Sequence, residues 1–180
     1  MSRIEQINDE NWLMIQPMFE YLEIPKSGSL LEAGKPCKYI SFIVEGCLRI
    51  FIHHDGKEVT RQIFFENAFV TELSSFTAQV PSQYDIDALE NTRLLNLSYE
   101  NINTLYAKSP AFLRLGKTIA EQTASFLIRR NVEMVTDSAR QRYDTLIKER
   151  PKVIQRVPQH IIASYLGITP QALSRLRAQR

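Results

Sequence analysis

The chain has 180 residues, of which 44% are hydrophobic, and a formal net charge of +2. This length suits one large domain or two small ones with an apolar core. No apolar run approaches the length of a membrane span, and the N-terminus lacks the apolar core of a signal peptide, so we expect a cytoplasmic protein. Two cysteines, Cys37 and Cys47, are too few for a disulfide framework or a four-thiolate cluster.

The charge is unevenly distributed along the chain. Residues 137–180 hold nine Lys and Arg against three acids, a net charge of +6, which leaves −4 for residues 1–136. A basic module joined to an acidic one is typical of a nucleic-acid-binding end on a domain that avoids nucleic acid. A solvated basic surface is the alternative interpretation.

The N-terminal segment and the residues that follow it differ in pattern. An apolar side that includes Ile15, Met18 and Phe19 predicts a helix over residues 3–20. Short runs with strand character follow from Leu30, and Asp55-Gly56 is a strong hairpin turn. The predicted strands cover residues 39–44, 47–53, 58–65, 68–72, 84–89 and 94–97. Many short strands separated by turns predict a β-barrel or roll.

A long helix is predicted after the strands. Ser109 and Pro110 suit a helix cap and a first helical position, and the pattern continues to about Met134. A helix of about 25 residues is roughly 37 Å long, which exceeds what a barrel of this size covers. The pattern therefore favours a dimer seam over packing on the chain's own barrel. The seam residues are Phe112, Leu115, Ile119 and Phe126, with Arg130 on the same stripe.

A further helix and a connector precede the C-terminal segment. Capping residues at 136–138 predict a helix to about Glu149, with Tyr143 and Leu146 facing inward, and Pro151 ends it. Residues 152–157 are predicted to form a short connector that includes one strand.

The last 22 residues have the pattern of a helix-turn-helix. Leu166 ends a first helix, Gly167 supplies the sharp turn, and Thr169 with Pro170 begins a second helix. Such a motif places its second helix in the major groove of DNA. The predicted DNA-contacting residues are Gln159, Thr169, Gln171, Ser174, Arg175, Arg177 and Arg180. An ordinary pair of antiparallel helices is the alternative.

Taken together, these elements resemble the bacterial Crp/Fnr regulators, the family of the cyclic AMP receptor protein and FNR. The matching residues are Leu31 with Gly34, residues 42–46, Arg49 with Phe51, residues 55–57, Glu72-Leu73, and Ser174-Arg175 in the second helix of the helix-turn-helix. The resemblance implies an α+β fold with three parts. These are a cyclic-nucleotide-binding-like β-roll (a jelly-roll barrel) over residues 1–108, a dimerisation helix over residues 109–136, and a helix-turn-helix domain over residues 137–180.

The family's ligand positions are altered in this sequence. Members that bind cyclic nucleotides carry Gly-Glu-Leu and, further along, an Arg that pairs with the cyclic phosphate. Here the first element is Thr71-Glu72-Leu73 and the arginine position is Ser82, followed by Gln83. No Lys or Arg lies between Arg61 and Arg93 to neutralise a phosphodiester. We therefore expect no cyclic AMP binding. A small-molecule effector would be neutral or cationic, with Glu72 either as its anchor or as a structural carboxylate.

The resemblance also implies partners. Family members continue past the second helix into a β-wing that contacts phosphate, whereas this sequence ends at Arg180, so we expect an incomplete wing, with Gln159 and His160 contacting phosphate instead. The expected partners are double-stranded DNA, a second copy of the chain, and RNA polymerase as a further candidate, with no membrane. Two hypotheses result: a homodimeric transcription regulator, or a ligand- or protein-binding module whose helix-turn-helix is degenerate.

Catalysis is not expected. The sequence holds no Ser–His–Asp set, no paired histidine ligands and no Gly-rich phosphate loop. His53 and His54 are adjacent in a predicted strand and point to opposite faces, so they cannot share one metal ion. No catalytic residue, metal site or cofactor is therefore predicted.

Overall fold

A computed structural model describes residues 15–178 of the chain. Eight strands form most of the first part: β1 Phe19–Ile24, β2 Ser29–Leu31, β3 Tyr39–Glu45, β4 Cys47–His54, β5 Lys57–Phe65, β6 Phe69–Val70, β7 Asp85–Ala88 and β8 Thr92–Ser98. The helices are α1 Leu73–Ala78, α2 Tyr99–Lys108, α3 Pro110–Thr136, α4 Ala139–Glu149, α5 Pro151–Arg156, α6 Gln159–Leu166 and α7 Pro170–Ala178. A short 3-10 turn, Gln16–Met18, precedes β1.

The strands form two four-stranded antiparallel sheets, in the orders β1-β8-β3-β6 and β2-β7-β4-β5. Ile43 and Leu94 from the first sheet pack against Leu48 and Ile86 from the second, all almost fully buried. The predicted β-roll is confirmed, and each predicted strand is present with somewhat different bounds. Asp55 and Gly56 both have positive φ and turn β4 into β5, as the hairpin pattern predicts.

The helix prediction for residues 3–20 is wrong at its C-terminal end, and residues 3–14 lie outside the described part. Phe19 begins a strand that pairs with β8 from Phe19–Leu97 to Ile24–Thr92. Pairing with β8, which also pairs with β3, gives these residues backbone partners that local apolar periodicity does not reveal.

Two other segments also differ from the prediction. Strand β6 ends at Val70, because Thr71 and Glu72 turn the chain into helix α1. The connector predicted at residues 152–157 is instead the helix α5, with Pro151 in its first turn. Proline therefore both ends α4 and begins α5, since it is well tolerated at a first helical position.

The C-terminal helices share a second apolar core with the β-roll. Cys47, Ile63 and Leu89 of the β-roll pack with helical residues that include Leu146 and Leu166. Cys47 is fully buried, and desolvation raises the pKa of its thiol to about 12. The described helix-turn-helix is therefore docked on the β-roll through an apolar contact.

Candidate functional site

The turn of the helix-turn-helix is built around Gly167. Its φ of 68° lies in the left-handed region, and its N–H donates to the carbonyl of Ser164 at 3.0 Å. Helix α7 begins at once, because Oγ1 of Thr169 accepts a hydrogen bond from the N–H of Ala172 at 3.2 Å. The predicted glycine turn and threonine cap are confirmed.

Helix α7 presents polar side chains to solvent. Leu173, only 1% exposed, fixes the helix to the core, whereas Gln171, Ser174, Arg175 and Arg177 are exposed. At about 100° per residue, Arg175 points away from Leu173 and Arg177 lies on the flank of the helix. Within residues 15–178 no acidic side chain pairs with either arginine. With respect to the described residues, both guanidinium groups are therefore available to an anionic partner.

The other predicted DNA-contacting residues differ in their surroundings. Gln159 is exposed and begins α6, whose N-terminus has no side-chain cap among the described residues. The N–H groups of such an open first turn can donate hydrogen bonds to a phosphate oxygen. The hydroxyl of Thr169 is already used in the cap of α7. Arg180 lies outside the described residues.

Two arginines cap the C-terminus of α6. Arg130 of α3 donates to the carbonyl of Tyr165 and stacks 4.1 Å above its ring. Arg142 of α4 donates from Nε to the carbonyl of Leu166 at 3.2 Å. Burial lowers the pKa of Arg130. Cations at a helix C-terminus are favourable, so these arginines hold the first helix of the motif in place.

The candidate ligand residue Glu72 has a structural role. Its two carboxylate oxygens accept hydrogen bonds from the N–H groups of Ser74, at 3.3 Å, and Ser75, at 2.7 Å, and thereby cap α1. The hydroxyl of Thr71 donates to the carbonyl of Tyr39 at 3.0 Å. The carboxylate of Glu72 therefore caps a helix in this structure, and its role as an anchor for an effector stays a prediction.

The remaining ligand positions are not directed at one site. The buried hydroxyl of Ser82 donates to the carbonyl of Tyr84 at 2.8 Å and accepts from its N–H at 2.9 Å. Leu73 is 50% exposed, and Gln83 is also exposed. The serine at the family's arginine position thus closes a local turn.

A cavity of about 500 Å³ lies between the β2–β3 connection and the start of the segment after β6. Thr71 lines it, whereas Glu72, Leu73, Ser82 and Gln83 do not. The lining also includes Glu32, Lys35 and Lys38, with Lys35 and Glu32 paired at 2.8 Å. The sequence analysis did not predict these lysines, because they lie in the segment before β3, distant in sequence from the ligand positions at residues 71–73 and 82–83.

The long helix α3 has two different faces in the single chain. The predicted seam residues Phe112, Leu115, Ile119 and Phe126 are half-buried, and Phe112 packs against the core of the β-roll. The exposed apolar side chains include Leu127, Ile128, Val132 and Val135, with Ile128 67% and Val135 82% exposed. Apolar side chains so exposed on one segment of a helix indicate a contact surface.

The comparisons with known proteins concern both parts of the chain. Residues 21–109 match the family model of the cyclic nucleotide-binding domain. No curated protein sequence matches the chain significantly. Solved structures with a similar fold include FixK2 from Bradyrhizobium japonicum, with 14% identity, a TM-score of 0.79, and coverage of 89% of this chain and 83% of that one. A CooA double mutant from Carboxydothermus hydrogenoformans has 19% identity, a TM-score of 0.76, and coverage of 96% and 81%.

A third similar structure is the c-di-GMP-responsive global regulator CLP of Xanthomonas campestris, with 17% identity, a TM-score of 0.74, and coverage of 95% and 91%. These likenesses cover between 89% and 96% of this chain, so they are not confined to the β-roll. This chain has the Crp/Fnr fold. Its β-roll is similar to the cyclic nucleotide-binding domain, whose family model matches residues 21–109.

The described residues lack the features of a metal site and of a membrane span. Over residues 15–178 no cluster of three or more His, Cys, Asp or Glu side chains is placed to hold a metal ion. None of the helices in that range is long and apolar enough to cross a membrane.

Proposed function

We propose that the protein is a homodimeric, sequence-specific DNA-binding transcription regulator of the Crp/Fnr type. The observation that carries this proposal is the exposed face of α7. Around this face, the polar side chains Gln171 and Ser174 lie between Arg175, opposite the buried Leu173, and Arg177 on the flank of the helix. Arginine and glutamine are the side chains that most often read guanine and adenine edges in the major groove.

A mobility-shift titration tests the proposal. The protein is first used to select duplexes from a random-sequence library, and the selected duplex and a scrambled one are then titrated across a salt series. We expect tighter binding to the selected duplex and a linear fall of log affinity with log salt concentration. Binding that is equal on both duplexes, or absent at low salt, would favour the alternative of a ligand- or protein-binding module.

We also propose that the β-roll does not bind cyclic AMP at micromolar concentration. Glu72 is engaged at both oxygens in the cap of α1, and Ser82 occupies the place of the phosphate-pairing arginine. An effector, if the protein uses one, has the cavity lined by Lys35, Lys38 and Thr71 available to it. Isothermal titration calorimetry with cyclic AMP is expected to show no heat of binding, and a micromolar dissociation constant would refute this.

The dimer is proposed to form along α3. The C-terminal half of this helix exposes Leu127, Ile128, Val132 and Val135 in the single chain. Residues spaced four and three apart, such as 128, 132 and 135, follow one side of a helix and can pair with the same helix of a second copy. The half-buried face with Phe126 is the alternative seam.

A further inference from the structure

The helix-turn-helix domain is joined to α3 by a short non-helical link. Asp137 is extended between α3 and α4, with φ −92° and ψ 141°. The apolar contact of Cys47, Ile63 and Leu89 with the C-terminal helices is non-directional. The orientation of the domain on the β-roll therefore depends on directional contacts between the two.

Arg156, the last residue of α5, makes the most extensive of these contacts. Its guanidinium donates to both oxygens of Glu66, at 2.6 and 2.9 Å, and to both oxygens of Glu90, at 3.0 and 2.5 Å. Lys152 also pairs with Glu66, at 3.0 Å. The carboxylates come from separate segments of the β-roll, one after β5 and one between β7 and β8. A planar guanidinium held by two bidentate carboxylates can adopt only one orientation.

The second contact lies on the edge of strand β5, which is the last strand of its sheet. Oγ of Ser164 in α6 accepts from the N–H of Thr60 at 2.9 Å and donates to the carbonyl of Glu58 at 2.9 Å. Arg150 donates to the carbonyl of Ile63 further along the same strand. Three backbone groups of β5 therefore have partners from the C-terminal helices, which aligns α6 with the strand.

The Glu66 contact predicts a pH dependence of stability. The hydrogen bond from Arg156 is the main cause that lowers the pKa of Glu66 to about 2 from a usual value of 4.5. A carboxylate with a lowered pKa stabilises the folded state fully above its unfolded pKa, and this stabilisation is lost as the pH falls from about 4.5 towards 2. The free energy of unfolding, measured with urea, is expected to fall less between pH 5.5 and pH 3 in Glu66→Gln than in the wild type. An equal fall in both proteins would contradict this. The control is Glu45→Gln, because Glu45 is exposed at the end of β3.

We infer that Arg156, held by Glu66 and Glu90, is a positioning residue that sets the half-site spacing the dimer accepts on DNA. This inference rests on the proposed function. Each recognition helix α7 is tied through α6 and α5 to its own β-roll, so the two helices of a dimer are held at one separation. A change of one base pair moves a half-site by about 3.4 Å along the duplex and turns it by about 35°. A helix-turn-helix domain fixed to its β-roll cannot move with the shifted half-site, whereas a domain whose contact with the β-roll is weakened can.

The test uses full-length protein and two readouts. The double variant Glu66→Gln/Glu90→Gln removes both negative charges with little change of side-chain shape. Arg156→Lys keeps the positive charge but loses the planar guanidinium that binds each carboxylate through two hydrogen bonds. Glu45→Gln is the control. Fluorescence anisotropy is measured on the selected duplex and on duplexes with one base pair inserted or removed between the half-sites. Hydrogen exchange of the Thr60 amide is measured without DNA.

We expect the wild type and Glu45→Gln to bind the shifted duplexes on the order of 100-fold more weakly, because several base contacts at one half-site would be lost. On the same shifted duplexes, the double variant should lose less than about 5-fold in affinity, and the loss for Arg156→Lys should lie between the two. In the hydrogen-exchange measurement, the Thr60 amide should exchange on the order of 10-fold faster in the double variant than in the wild type.

Two results would overturn the inference alone. One is an unchanged exchange rate of Thr60, and the other is a spacing preference in the double variant as sharp as in wild type. Wild-type protein that selects no duplex would instead overturn the proposed function, and the inference with it.

Discussion

Ile128→Glu is expected to convert the protein from a dimer to a monomer at micromolar concentration. In the single chain this side chain is 67% exposed on α3, close to the exposed Leu127 and Val132. In the proposed dimer the substitution would place two unpaired carboxylates in an apolar contact and remove two isoleucines. Together these changes should weaken association by about 4 kcal/mol or more, roughly 1000-fold in dissociation constant. Sedimentation velocity over a concentration series measures the effect.

Phe126→Ala distinguishes the two faces of the helix. Phe126 is half-buried within the chain, where it also stacks with Arg129 at 6.0 Å. If the dimer forms along Ile128 and Val135, this substitution should lower the stability of each chain and change the dissociation constant only modestly. If the seam runs along Phe112 and Phe126, it should weaken the dimer by a few kcal/mol through cavity formation. A wild-type protein that sediments as a monomer would contradict both arrangements.

Arg175→Ala is expected to relax DNA specificity at one base pair in each half-site. Arg175 is exposed on α7 opposite the buried Leu173, six residues after the Thr169 cap. From there a guanidinium can reach the O6 and N7 atoms of a guanine, and its loss should cost about 1–3 kcal/mol at that position. Two-fold symmetry places the half-sites about 10 base pairs apart. Anisotropy titrations on duplexes with single base-pair changes measure the effect.

Arg177→Ala is the matched variant. It removes the same group from the flank of the same helix, where a phosphate is the expected partner. Affinity should then fall alike on the selected and scrambled duplexes, and the slope of log affinity against log salt concentration should flatten by about one. If both arginine variants lose affinity equally on the two duplexes, neither reads a base, and the assignment of Arg175 fails.

The C-terminal motif could be predicted because its determinants are local. Gly167 at a positive φ and Thr169 at a helix start each satisfy a requirement set by a few neighbouring residues. The strand pattern and the Asp55-Gly56 turn are local in the same sense. These local features predict a β-barrel or roll and a helix-turn-helix, and the complete fold class follows from the family resemblance.

Long-range contacts account for what sequence reasoning missed. Phe19 belongs to a strand only because β8 pairs with it. Arg130 fits the periodicity of a dimer stripe, yet it caps the carbonyl of Tyr165. Likewise, Lys35 and Lys38 reach the cavity near Thr71 from a segment distant in sequence. No window of neighbouring residues contains these partners.

The docking of α6 on β5 also bears on how the chain folds and on how it can be divided. A β-roll without the C-terminal helices would expose the β5 edge, with its free Thr60 N–H and Glu58 carbonyl, beside uncovered Cys47 and Ile63. Unpaired edges next to apolar surface invite strand addition between molecules. The isolated β-roll should therefore self-associate. The complete chain should unfold with the two parts coupled, because Cys47, Ile63 and Leu89 of the β-roll are buried in a core that they share with the C-terminal helices.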